Sequence, residues 1–106
     1  MTLEAFVELL LAVDPEAVRY DRIGQDKENY TVFCDYREDM LCADDEPAET
    51  VLHVQVDRYT KDEQDSIAEA LKALFEETAE ISCTYEKDFD PVARVIRHLF
   101  DCEIAA

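Results

Sequence analysis

The stretch VLHVQVDRYTKDEQ, residues 51–64, changes period part-way along, and the fold turns on where that change falls. Leu52, Val54 and Val56 alternate with His53, Gln55 and Asp57, which is the two-residue period of a strand with one apolar and one polar face. Past Tyr59 the alternation stops. Thr60 followed by Glu63 matches a capping box, and residues 61–79, KDEQDSIAEALKALFEETA, space Ile67, Leu71, Leu74, Phe75 and Thr78 along one face of a helix. Asp62, Glu63 and Asp65 then lie near the positive end of the helix dipole.

A strand that runs straight into a helix can be a catalytic corner, a binding edge or a scaffold joint. Nothing beside this one supplies a nucleophile, a base with an orienting partner, or a glycine-rich anion cradle. It reads as a joint. Leu52, Val54 and Val56 anchor the strand in the core, and His53, Gln55 and Asp57 are left for contact with another subunit or a partner.

On the N-terminal side, YTVFCDYR (30–37) is a second strand, with Tyr30, Val32, Cys34 and Tyr36 on one strongly apolar face and Thr31, Phe33, Asp35 and Arg37 on the other. Residues 38–49, EDMLCADDEPAE, read as a long acidic connection broken by Pro47, so the two strands form a hairpin. Within that connection Asp44, Asp45 and Glu46 lack the alternating ligand spacing and turn glycine of a calcium loop. They are read as solvated charge and as part of the contact surface, and no metal or cofactor is predicted.

Earlier still, Leu3, Phe6, Val7, Leu10 and Val13 recur at helical spacing behind Thr2, an N-cap, and stop at Asp14 before Pro15. Glu4, Glu8 and Asp14 are its charges, with no Lys or Arg before residue 17, so this stripe suits a core and not an anionic membrane surface. Val18, Tyr20 and Arg22 suggest a short extended segment before a polar turn at Gly24, the chain's one glycine. That scarcity removes the P-loop and the dinucleotide fingerprint, which need several glycines.

Beyond the second helix, ISCTYEKDFDP gives a strand with Ile81, Cys83 and Tyr85 on one face, then a turn at 87–91 in which Asp88 and Asp90 are turn formers. The last run, VARVIRHLFDCEI, fits two periods: Ile96, Phe100, Cys102 and Ile104 alternate, while Val92, Val95, Ile96 and Leu99 are spaced as on a helix. Its β-branched and aromatic content, and a strand and turn before it, favour a strand. His98 and Cys102 would then share a face about 13 Å apart, too far for an activated thiolate. The order is helix, short strand, hairpin, helix, hairpin. It predicts one α+β domain over residues 1–106, with two helices packed on one face of a mainly antiparallel sheet of about four to five strands.

Composition narrows the function classes. With 27 acidic against 10 basic residues the formal charge is −17, which repels phosphates and argues against sequence-specific nucleic-acid binding. No secretory leader or bilayer-spanning run is read. Cys34, Cys42, Cys83 and Cys102 are scattered, without the close ligand pairs of a zinc site, and read as reduced, largely buried thiols.

The succession VLHVQVDRYTKDEQDSIAEALKALF and SCTYEKDFDPVARVIRHLFDCEI resembles the small tail-terminator, or tail-completion, proteins of long-tailed bacteriophages and phage-like elements. Leu52, Val54, Val56 and Tyr59 carry the strand of that pattern, 60–79 the helix, 85–90 the acidic turn and 92–104 the long last strand. The resemblance implies a non-enzymatic virion protein that forms a ring, commonly of six subunits, at the head-proximal end of the tail. There it would cap tail-tube growth and meet the head connector proteins, after assembly in the bacterial cytoplasm. No side-chain motif defines that family's functional residues, so none is carried over. A different class also suits the charge: a small acidic DNA mimic that occupies a basic nucleic-acid-binding protein. Mimicry calls for carboxylates in ordered rows, whereas many acids here fall in the connection and at the helix start.

Overall fold

A computed structural model describes residues 1–20, 28–41 and 49–105. Two helices and a five-stranded, mostly antiparallel sheet form the α+β fold expected, in the expected order: α1 (Leu3–Val13), β1 (Val18–Arg19), β2 (Tyr30–Leu41), β3 (Glu49–Thr60), α2 (Ser66–Glu77), β4 (Ile81–Asp90) and β5 (Val95–Ala105). Across the sheet the strands lie β1-β2-β3-β5-β4, and only the β1–β2 pairing is parallel. The last run is a strand, as its residue types favoured.

Both helices cover the same face. Phe6 and Leu10 of α1 and Leu71 and Phe75 of α2 join Phe33, Val54, Val56, Ile81, Phe100, Cys102 and Ile104 in one apolar cluster. The Phe6 and Phe75 rings stack at 5.7 Å, and Phe75 meets Phe100 edge-on at 5.3 Å. The molecule is elongated, 52 × 24 × 21 Å, because strands of 10 to 12 residues at about 3.3 Å per residue set its long axis.

Thr2 caps α1 through its hydroxyl, which accepts from the Ala5 amide at 3.1 Å. The second helix begins later than the Thr60–Glu63 pattern predicts. Its N-cap is Asp65, whose carboxylate accepts from the Ala68 amide at 3.0 Å, while Thr60 ends β3 and its hydroxyl accepts from the Asp62 amide. Asp65 prevails because it has a second partner that Thr60 lacks. Arg58, 4% exposed on the helix-covered face of β3, grips both Asp65 oxygens at 2.8 and 3.2 Å, bonds Thr31 at 3.3 Å and lies 3.6 Å from Asp14, the C-cap of α1. One guanidinium thus ties the end of α1, the start of α2, β2 and β3 together. Burial, the largest influence on Asp65, would push its pKa up, but the bonds from Arg58 and Ala68 outweigh it and hold the carboxyl below its ordinary value.

Two further corrections concern β2. Its buried residues are Thr31 and Phe33, so the apolar face of Tyr30, Val32, Cys34 and Tyr36 turns away from the helices. Phe33 pairs with buried Val56, which fixes the phase. A bulge between Asp35 and Arg37 then flips the alternation, placing Arg37, like Tyr36, on the uncovered side opposite His53. The strands also run on to Leu41 and start again at Glu49, so the connection is shorter than the 38–49 predicted.

Candidate assembly surface

Among the described residues no element covers the face of the sheet opposite the helices, and the alternation of β3 puts His53, Gln55 and Asp57 on it, as expected. Asp44, Asp45 and Glu46 lie outside the described residues.

Each of the three β3 residues is tied to a neighbour. His53 Nε2 is 2.8 Å from Asp39 and its Nδ1 3.5 Å from Glu103. The Gln55 amide donates to Asp57 at 3.0 Å, and the other Asp57 oxygen accepts from Arg97 Nε at 3.1 Å. Arg97 also comes within 3.8 Å of Asp88, which lies in β4 and not in the turn. Tyr36 donates its hydroxyl to Asp101 at 2.7 Å while its ring leans on His53 at 5.8 Å. At one end of the face Tyr30 stacks on Tyr59 at 4.9 Å.

These bonds move the titrations they should. The His53 bond, and then that from Arg37, hold Asp39 below the ordinary carboxylate range. The Asp101 carboxylate pushes the Tyr36 phenol up to about 12. The result is a half-buried, polar, predominantly acidic surface of interlocking cross-strand pairs. Its β5 and β2 members, Arg97, Asp101, Glu103, Asp39 and Tyr36, escaped the sequence reading. The β5 set was legible in principle, since these residues alternate with Ile96, Phe100, Cys102 and Ile104.

The sheet has two uneven edges. β1 pairs only Val18 and Arg19 with Val32 and Phe33, and Tyr20 adds one bond to the Phe33 carbonyl. On the other side β4 pairs along its whole length with β5 and has no neighbour beyond it among the described residues. The β4–β5 turn is held by Asp90, which accepts from the Val92 and Ala93 amides, and presents Val92 at 92% and Phe89 at 60% exposure.

A shallow cleft of about 400 Å³ between α2 and β4 brings His98 within 2.7 Å of the Tyr85 hydroxyl, with the Lys72 ammonium 4.9 Å from the Tyr85 ring centre. Burial, then Lys87, lowers the pKa of His98. Cys102 is not its partner, because Cys102 faces Cys83 across the strands. Among the described residues no group of three or more His, Cys, Asp or Glu is placed to hold a metal ion, and no helix is long and apolar enough to cross a membrane.

No family model and no curated protein matches the chain. The fold does recur among solved structures. It is similar to a chain of the "Virion of native gene transfer agent (GTA) particle", with a TM-score of 0.61 at 14% identity over 91% of this chain and 82% of that one. At that identity the likeness is one of fold, and it extends across nearly the whole α+β unit.

Proposed function

We propose that the chain is a structural virion-assembly protein of a long-tailed phage or phage-like particle. In this reading it forms a ring at the head-proximal end of the tail, stops growth of the tail tube and joins the tail to the head. The observation that carries the reading is the shared fold with a virion chain over 91% of the sequence. The resemblance of the β3–α2 and β4–β5 segments to tail-terminator proteins points the same way. The role is structural and not enzymatic, with the tail-tube and head connector proteins as partners.

In this proposal the open face makes the contacts. His53, Gln55 and Asp57 belong to an interface between subunits in which each copy offers one patch to each neighbour, the geometry that closes a ring. Asp44, Asp45 and Glu46, between β2 and β3, are assigned to the same contact surface. The DNA-mimic reading is less well supported: Asp39, Asp57 and Asp101 are spent on partners within the chain and do not form free rows at phosphate spacing.

The test is functional. Tail-tube protein from the same element, allowed to polymerise with and without the purified chain, should stop at a defined length and carry the chain at one end. Tubes that grow equally long in both cases, with no chain at their ends, would refute the role.

A further inference from the structure

Cys83 and Cys102 stand directly opposite each other in the antiparallel β4–β5 pairing, on the helix-covered side of the sheet. Opposed residues in such a ladder have Cα atoms about 4.5 or 5.5 Å apart, and both values fall within the roughly 4.4–6.8 Å that a disulfide spans. All three described cysteines are free. Cys34 is no competitor, because it pairs with Gln55 on the opposite face of the sheet.

We propose that this pair is a modification site: an oxidant of the peroxide class closes Cys83 and Cys102 into an intramolecular disulfide that staples the edge strand β4 to β5.

The two thiols differ in access, so the reaction starts at Cys83. Cys83 is part-exposed, whereas Cys102 is fully buried. A bond from Cys102 lowers the pKa of Cys83, and the same bond together with burial keeps Cys102 protonated. The Cys83 thiolate attacks the peroxide O–O bond and becomes a sulfenic acid, and the departing oxygen leaves as water. Cys102 sulfur then attacks the sulfenic sulfur. The S–S bond forms as the S–O bond breaks, the Cys102 proton goes to the leaving oxygen, and a second water is released. Two electrons pass from the sulfur pair to one peroxide. Because β4 has one neighbouring strand among the described residues, this bond would add a covalent tie to its pairing with β5. The inference does not depend on the assembly role.

The test uses the full chain with Cys34→Ser and Cys42→Ser, treated while folded with one equivalent of hydrogen peroxide. The expected product is monomeric, lighter by two hydrogen atoms, has no titratable thiol, and yields one linked peptide pair containing Cys83 and Cys102. Its Tm should rise by on the order of 10 °C and fall back on reduction. In a further Cys102→Ala variant, dimedone should trap a sulfenic acid at Cys83. Two thiols still titratable after peroxide, a disulfide formed only between chains, or over-oxidation of Cys83 beside a free Cys102 would each overturn the proposal. The first measurement suffices if the Cys102→Ala variant fails to fold.

Discussion

The two faces of this sheet use the same strands for opposite purposes. Under the helices, Val54, Val56, Phe100, Cys102 and Ile104 are at most 1% exposed, and the buried guanidinium of Arg58 has carboxylates from both helix ends around it. On the other side His53 bonds Asp39 and Asp57 bonds Arg97 from strand to strand, Gln55 bonds Asp57 within β3, and exposure ranges from 12% at the His53 side chain to 33% at that of Arg97. Charge under the helices is locked in low dielectric and serves the fold. Charge on the other face is less deeply buried, from 13% exposure at the Asp57 side chain to 54% at that of Glu103, and is correspondingly more screened. The proposed assembly role places the contacts on the second of these faces.

The largest effect expected from this contrast is at Arg58. Arg58→Ala leaves Asp65 and Asp14 buried without their counter-charge and should cost about 3–5 kcal/mol of unfolding free energy. Arg97→Ala, whose partner Asp57 keeps 13% side-chain exposure, should cost less, on the order of 1–2 kcal/mol. Urea denaturation of the two variants compares them directly, and equal losses would erase the distinction between the faces.

Acid sharpens the same contrast. Asp65 has a depressed pKa, so its stabilisation is present above the ordinary carboxylate value of 3.8 and is lost as pH falls through the lower folded value. His98 is depressed too, from 6.5, so the unfolded chain binds its proton first and stability begins to drop as pH falls below that value. Thermal melts from pH 8 to pH 3 should therefore decline in two legs. His98→Asn should remove the upper leg and Asp65→Asn the lower, and a wild-type melting temperature flat down to pH 4 would contradict the account of His98.

At Tyr36 the effect is smaller. Its phenol is raised to about 12, so the stabilisation from its bond to Asp101 holds below the unfolded value near 10 and fades as pH rises through 12. Ultraviolet titration should show Tyr36 ionising at about 12, with Tyr20, Tyr59 and Tyr85 also raised above the ordinary value. Asp101→Asn should bring Tyr36 back toward 10 and lower the melting temperature at neutral pH slightly, the effect being reduced because Tyr36 is 48% exposed.

How far the sequence revealed this depends on which face is in question. The β3 alternation, the Thr2 cap, the core stripe of α2 and the strand character of 95–105 were all readable, because apolar residues at a fixed period leave few options. Two features were not. The covered face of β2 carries Thr31 beside Phe33, and β3 carries Arg58 and Thr60 there, so polarity alone assigns β2 the wrong way round. The bulge at Tyr36 leaves no period to read, and the shift of the α2 cap to Asp65 depends on Arg58, a partner seven residues back that only the folded sheet brings close. On the open face His53, Gln55 and Asp57 were legible as a set, but their β2 and β5 partners required the register.

The central claim is that the open face builds the assembly, and native mass tests it most directly. The wild-type chain and a His53→Ala, Gln55→Ala, Asp57→Ala variant should be weighed, each alone and with tail-tube protein. The account predicts a ring-sized multiple of the 12.2 kDa protomer for the wild type with its partner. The variant should stay at the protomer mass while still melting cooperatively, at a somewhat lower temperature because the bonds to Asp39 and Arg97 are lost. A wild type that remains monomeric in both conditions, or a variant that assembles as well as the wild type, would contradict it.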